Sequence, residues 1–221
     1  MIDMLHSIGM TDGMITSSII TIILTILAII AGRRLAIVPS GLQNAVELAI
    51  EKMYNFFSDI MGAKLARQYF PLVGTLFVYI LICNYSGLLP GSGEIKGLAA
   101  PTSSINCTAA MAVTVFIMTQ VAGIKAAGGP RYYKHLLKPM AFLAPLMAIE
   151  MLVRPLSLTL RLYGNIFGEE TVTHTFFEMV PIGLPVAMQL LSVLMGLIQA
   201  LVFSLLTAIY LTEACDTEEL E

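Results

Sequence analysis

The fold class predicted is an all-α membrane protein with about five transmembrane helices plus one interfacial amphipathic helix, the last two helices long and strongly tilted. Three observations predict it. Apolar residues make up 57% of the 221 residues and charged residues 12%, against roughly 25% charged in a soluble domain. Mean hydropathy is +0.83. Long apolar blocks alternate with breaks marked by Gly, Pro and charge, and about 20 residues are enough for one span. So few charges cannot cover a water-facing surface, so residues 1–221 are expected to form a single integral membrane domain.

The first span is expected at about 17–31, an Ile, Leu and Thr block stopped by Gly32, Arg33 and Arg34. A secretory leader has its basic residues before the apolar run; here they follow it, so this segment is expected to be retained. From about 39 to 62 the pattern changes. Leu42, Val46, Ala49, Ile50, Met53, Phe56, Phe57 and Ile60 recur at helical spacing between Gln43, Glu47, Glu51, Lys52 and Asp59. That pattern predicts an amphipathic helix lying in the interface.

A second span is expected at about 69–89, closed by Pro90 and Gly91, and a polar loop leads to Ser104. The third span is expected at about 105–124. A basic connector from Lys125 to Lys138 contains Gly128, Gly129 and Pro130. Two long helices follow, at about 139–169 and 185–212. The acidic tail from Glu213 to Glu221 is expected to be frayed.

Arg33, Arg34, Lys52, Lys64, Arg67, Lys125, Arg131, Lys134 and Lys138 follow the first and third spans, while only Lys96 falls between the second and third. The positive-inside rule then places the N-terminus outside and the C-terminus in the cytoplasm. Together with the compact length and the lack of a transit segment, this suits a bacterial inner membrane. Three cysteines without CxxC spacing supply neither a disulfide framework nor a zinc site. No cofactor, metal or nucleic acid is expected. No HExxH, GxSxG or Walker loop occurs, so no catalytic site or direct nucleotide binding is expected.

Arg154 and Arg161 lie inside an apolar helix, where a guanidinium costs at least about 2.5–3.5 kcal/mol on insertion scales. Glu150, Arg154, Ser157, Arg161, Asn165 and Gly168 fall within about 40° of one line along that helix. The segment 139–169 would be about 45 Å long across a hydrocarbon core of about 30 Å, so it must tilt or leave the membrane. Pro155 is expected to kink it. Arg154 has an acid four residues away in Glu150 and is expected to pair with it. Arg161 has no acid at i±3 or i±4, and its counter-charge must come from elsewhere, another chain included. On the final helix, Gln189, Ser192 and Gln199 share one side and are candidates to meet the Arg161 face.

The run Arg154-Pro155-Leu156-Ser157-Leu158-Thr159-Leu160-Arg161-Leu162-Tyr163-Gly164-Asn165 resembles the signature of ATP synthase subunit a. Asn84-Tyr85-Ser86-Gly87-Leu88-Leu89-Pro90 and Pro101-Thr102-Ser103-Ser104-Ile105-Asn106 are similar to that family's end of one early span and opening of the next. The resemblance implies that Arg161 faces a rotor, that Asn165 lies one turn on, and that Gln199 faces the arginine helix. It also implies that Glu170 occupies a polar half-channel position. Ser104 stands where many relatives have aspartate, and Ser192 where many have His or Glu. Glu169 is an additional acid, and a cluster of Glu169, Glu170, His174 and Glu178 is expected to relay ions on the outer side. Glu150, Arg154, Ser157, Ser104 and Asn106 are further channel-lining candidates.

The function implied is an ion-translocating stator channel of an F-type ATP synthase, with protons the expected ion and two offset half-channels. The partners implied are a rotor ring of c subunits, the b subunits of a peripheral stalk, the rest of the synthase and the lipid bilayer. The alternative is a stand-alone ion channel or secondary transporter. No internal repeat is visible, which weighs against the transporter.

Overall fold

The computed structural model describes residues 11–33, 41–89, 99–128, 144–179 and 183–215. Among them are six α-helices and no strand: α1 (Asp12–Arg33), α2 (Leu42–Met61), α3 (Ala63–Ser86), α4 (Ile105–Ala127), α5 (Ala144–Met179) and α6 (Leu184–Cys215), with one 3-10 turn at Pro101–Ser103. Four of them, α1, α3, α4 and α6, are long and apolar enough to cross a membrane. Helix α5 carries Glu150, Arg154, Arg161, Glu169, Glu170 and Glu178 and is outside that set, yet it packs on α4 and α6 as one of the bundle's own helices. The expected all-α membrane fold stands.

Several boundaries move. The second span begins at Ala63, ahead of the expected 69, because Pro71 sits within its first turns and does not stop it. The arginine helix runs 36 residues to Met179, about 54 Å, so its polar C-terminal third stays helical where a span end at 169 was expected. Residues 139–143 lie outside the described residues, as does most of the basic connector. The last helix ends at Cys215, not 212. Glu213 is therefore helical and not frayed; the remainder of the acidic tail lies outside the described residues.

Helix α2 is the amphipathic element expected. Val46, Leu48, Ile50 and Phe56 are exposed, while Phe57 and Met61 are buried against α3 and α6. Gly62, with φ 77, turns α2 into α3 in a conformation that favours glycine. Beyond that junction the bundle has two cores. One joins Ile80, Val115, Leu158, Leu162, Ile166, Ala200 and Phe203 from α3, α4, α5 and α6. The other joins Phe57, Ala66, Val73, Ala122 and Leu211 near the α2–α3 corner.

Close approach between α3 and α6 rests on a glycine. Asn84 donates from Nδ2 to the Gly196 carbonyl at 2.9 Å, and the Tyr85 hydroxyl donates to the Val193 carbonyl at 3.2 Å. A Cβ at Gly196 would sit 3.2 Å from the Asn84 Cβ. A larger residue would need the Asn84 Cβ and the Tyr85 ring, 3.3 Å away, to give by a few tenths of an ångström.

Candidate functional site

Two polar regions lie on α5, and the fold treats them differently. Arg154 is clamped. Its guanidinium meets Glu150 Oε1 at 2.7 Å on its own helix and Glu213 Oε2 at 2.5 Å on α6. It also lies over the Tyr210 ring, 4.9 Å from the centroid, a cation–π contact. The expected Glu150 pair is present. Glu213 and Tyr210 were missed, because Glu213 reads as part of an acidic tail and nothing local connects it to a residue about 60 positions earlier.

Arg161 is two turns further on, about 10 Å along the axis and about 20° around it. It is exposed and has no ion-pair partner among the described residues. The reason lies in the surrounding helices. Within α3 and α4 there is no Asp or Glu, and in α6 there is none before Glu213. The α6 residues in the same core as Leu158, Leu162 and Ile166 are Ala200 and Phe203, with Leu206 and Tyr210 packed against it. Elsewhere on α5, about 100–140° around the helix from Arg161, Leu156, Leu160 and Phe167 are exposed apolar side chains. Arg161 is thus an exposed cation on a helix whose other exposed side chains include large apolar ones.

On the final helix Gln199 and Ser192 are buried, whereas Gln189 is exposed. The three do share a helix, but only two face inward. The Ser192 hydroxyl donates to the Met188 carbonyl at 3.0 Å, and no hydrogen bond joins Gln199 to Arg161 among the described residues. Ser157 and Asn165 are half-buried on either side of Arg161.

At the other end of α5 the two short motifs converge on one carboxylate. Glu170 lies near Ser103, whose hydroxyl donates to the Ala100 carbonyl at 2.9 Å. A Cβ at Gly87 would lie 3.3 Å from Glu170 Oε1 and 2.9 Å from the Ala100 Cβ. Gly87 is required there by close approach, since any side chain would collide with the segment before the 3-10 turn. That segment also docks on α1, where the Ala99 amide donates to Thr16 Oγ1 at 3.2 Å. Thr102 Oγ1 and Asn84 Oδ1, near this end, are buried without a hydrogen-bond partner. Such atoms normally find water, so the region is suited to hydration.

Glu169 and Glu170 are both half-buried on consecutive positions of α5. His174 and Glu178 continue the same helix, but their side chains lie outside the described residues, so the outer cluster is described only for its first two members. Ser104 caps α4 through its carbonyl, which accepts from the Thr108 amide at 3.1 Å. Asn106 is exposed.

Comparison with known proteins gives the family. The family model for the ATP synthase A chain matches residues 14–212. The chain is 44% identical over 207 residues to ATP synthase subunit a of Moorella thermoacetica, covering 94% of this chain and 92% of that protein. It is 43% identical over 202 residues to ATP synthase subunit a 1 of Syntrophotalea carbinolica, covering 90% and 83%. It is 42% identical over 217 residues to ATP synthase subunit a of a Geobacter species, covering 95% and 91%. With the match running through every described helix, the chain belongs to the ATP synthase A chain family.

Proposed function

We propose that this chain is the stator subunit of an F-type ATP synthase that passes ions, with protons the expected species, to and from carboxylates on a rotor ring. The single observation that carries the reading is Arg161. It is an exposed cation on a bundle helix, and no carboxylate of its own chain is paired with it among the described residues. A guanidinium in that setting is stable only with a counter-charge. The missing acid is supplied by the rotor.

The mechanism follows from that charge. Arginine stays protonated in proteins, so Arg161 favours the ionised form of an approaching carboxylate and releases its ion. Once the rotor subunit moves on, the carboxylate must reload before it meets lipid, where a bare charge is prohibitive. Loading and unloading then require separate routes. Glu170, with Ser103 and the unpartnered Asn84 and Thr102 atoms nearby, supports one route toward the end of the bundle where α3 ends and α4 begins. Arg161 separates it from the route on the other side and blocks a direct leak. The voltage contributes about 2.3 kcal/mol per charge per 100 mV. Nucleotide chemistry belongs to other subunits. In orientation, the lysine-rich ends face the cytoplasm, as the positive-inside rule requires.

Replacing Arg161 by Ala tests this. Assembly is expected to stay intact while ion-driven ATP synthesis falls more than about 100-fold, about 2.7 kcal/mol in the coupled step. Unimpaired synthesis by the assembled R161A complex would refute the proposal. Selective flux through the isolated chain, without any ring, would favour a stand-alone channel.

A further inference from the structure

A second feature lies at the opposite end of the bundle from Glu170. A cavity of about 680 Å³ opens between α3, α4 and α6, next to the α2–α3 corner. That is within the roughly 300–1,000 Å³ of small-ligand sites. Its wall includes Lys64, Leu65, Gln68 and Tyr69 of α3, Lys125 of α4 and Thr212 of α6, and no acidic residue lines it among the described residues. Neither lysine has a carboxylate partner among the described residues; the ion pairs described there all belong to Arg154. Two positive charges therefore converge on a space that nothing described neutralises.

The level of the cavity is set by the helices around it. The span of α3 starts at Ala63, that of α4 ends at Ala126 and that of α6 ends at Cys215, and all three residues line the cavity or its rim. The amphipathic α2 meets it at Met61. The cavity thus lies where three spans leave the hydrocarbon, at the depth of lipid headgroups.

We propose that this cavity binds the phosphodiester headgroup of an anionic phospholipid. Phosphate oxygens accept charge-assisted hydrogen bonds from ammonium groups, and basic pockets between membrane helices hold anionic headgroups in this way. The donors available fit an acceptor-only ligand. Lys64 and Lys125 supply N–H groups from two helices. Gln68 donates one N–H to the Tyr69 hydroxyl at 3.3 Å and keeps the other. Thr212 spends its hydrogen on the Ala208 carbonyl at 3.0 Å, so it adds no donor. The side chain of Leu65 and the ring of Tyr69 give the glycerol and first methylenes an apolar wall, which free phosphate would not use. The site would tie α2, α3, α4 and α6 together at the membrane surface, and it stands whether or not Arg161 acts as proposed.

The test is native mass spectrometry of the full chain in neutral detergent, with phosphatidylglycerol, phosphatidylcholine or inorganic phosphate added. Phosphatidylglycerol is expected to be retained. K64Q/K125Q should lower its retention about 30-fold, and each single change about fivefold. K64R/K125R should retain it as the parent does, and phosphatidylcholine should be insensitive to all of these changes. Equal retention of phosphatidylglycerol by K64Q/K125Q would overturn the proposal. So would its displacement by millimolar inorganic phosphate, which would assign the lysines to a free anion. Retention that appears only after Asp216, Glu218, Glu219 and Glu221 are changed to Asn or Gln would also overturn it, because the chain's own acidic residues would then be the occupant.

Discussion

Arg154 and Arg161 are the same residue type on nearly the same face of one helix, two turns apart, yet the chain treats them in opposite ways. It surrounds Arg154 with Glu150, Glu213 and the Tyr210 ring. It leaves Arg161 exposed, with no ion-pair partner among the described residues. The difference teaches how to separate a structural cation from a working one in lipid. A buried or half-buried guanidinium that serves the fold brings its counter-charge within the chain. One left without a counter-charge costs several kcal/mol, and it persists only where another molecule supplies the partner.

The contrast can be broken by giving Arg161 what Arg154 has. Ser157 is to Arg161 what Glu150 is to Arg154, four residues earlier on the same face. Ser157→Glu should pair with Arg161, leave assembly intact and lower ion-driven ATP synthesis about 30-fold, near 2 kcal/mol. Synthesis measured in vesicles containing the assembled variant checks this.

The next largest effect concerns the contact between α3 and α6. Gly196→Ala places a methyl 3.2 Å from the Asn84 Cβ and should destabilise the α3–α6 contact by about 1–2 kcal/mol. The midpoint of unfolding in detergent should fall. The smallest effect belongs to the clamp. Glu213 is half exposed, so an Arg154–Glu213 double-mutant cycle on stability should give a coupling of only about 0.5–1 kcal/mol. R154E/E213R should recover more of it than either single change. A coupling near zero would make Arg154 an ordinary surface cation and weaken the comparison.

Much of this was legible in the sequence, and the limits have physical causes. The spans were readable because lipid demands continuous apolar runs, and α4 starts at the expected residue. Arg161 stood out because the cost of a guanidinium in lipid is a local property. Helix ends were harder. Pro71 fits within the first turns of α3 without ending it, and the polar residues after Glu169 remain helical because helix continuation depends on packing that composition does not record. Non-local pairs were invisible. Glu213 meets Arg154, Asn84 meets the Gly196 carbonyl, and Glu170 lies against Gly87 across long separations. The one signal that pointed to them was the presence of Asn and Gly at fixed places in greasy helices, where each needs a reason.

The most direct measurement is cross-linking from a cysteine at Leu160, which is exposed beside Arg161. In the assembled synthase, with Cys83, Cys107 and Cys215 replaced by Ala, L160C should form a disulfide with a cysteine placed next to the membrane carboxylate of a rotor subunit. It should do so in high yield and with loss of rotation-coupled synthesis. If L160C stays accessible only to lipid-soluble reagents and never joins the ring, Arg161 faces lipid and not a rotor, and the account is wrong.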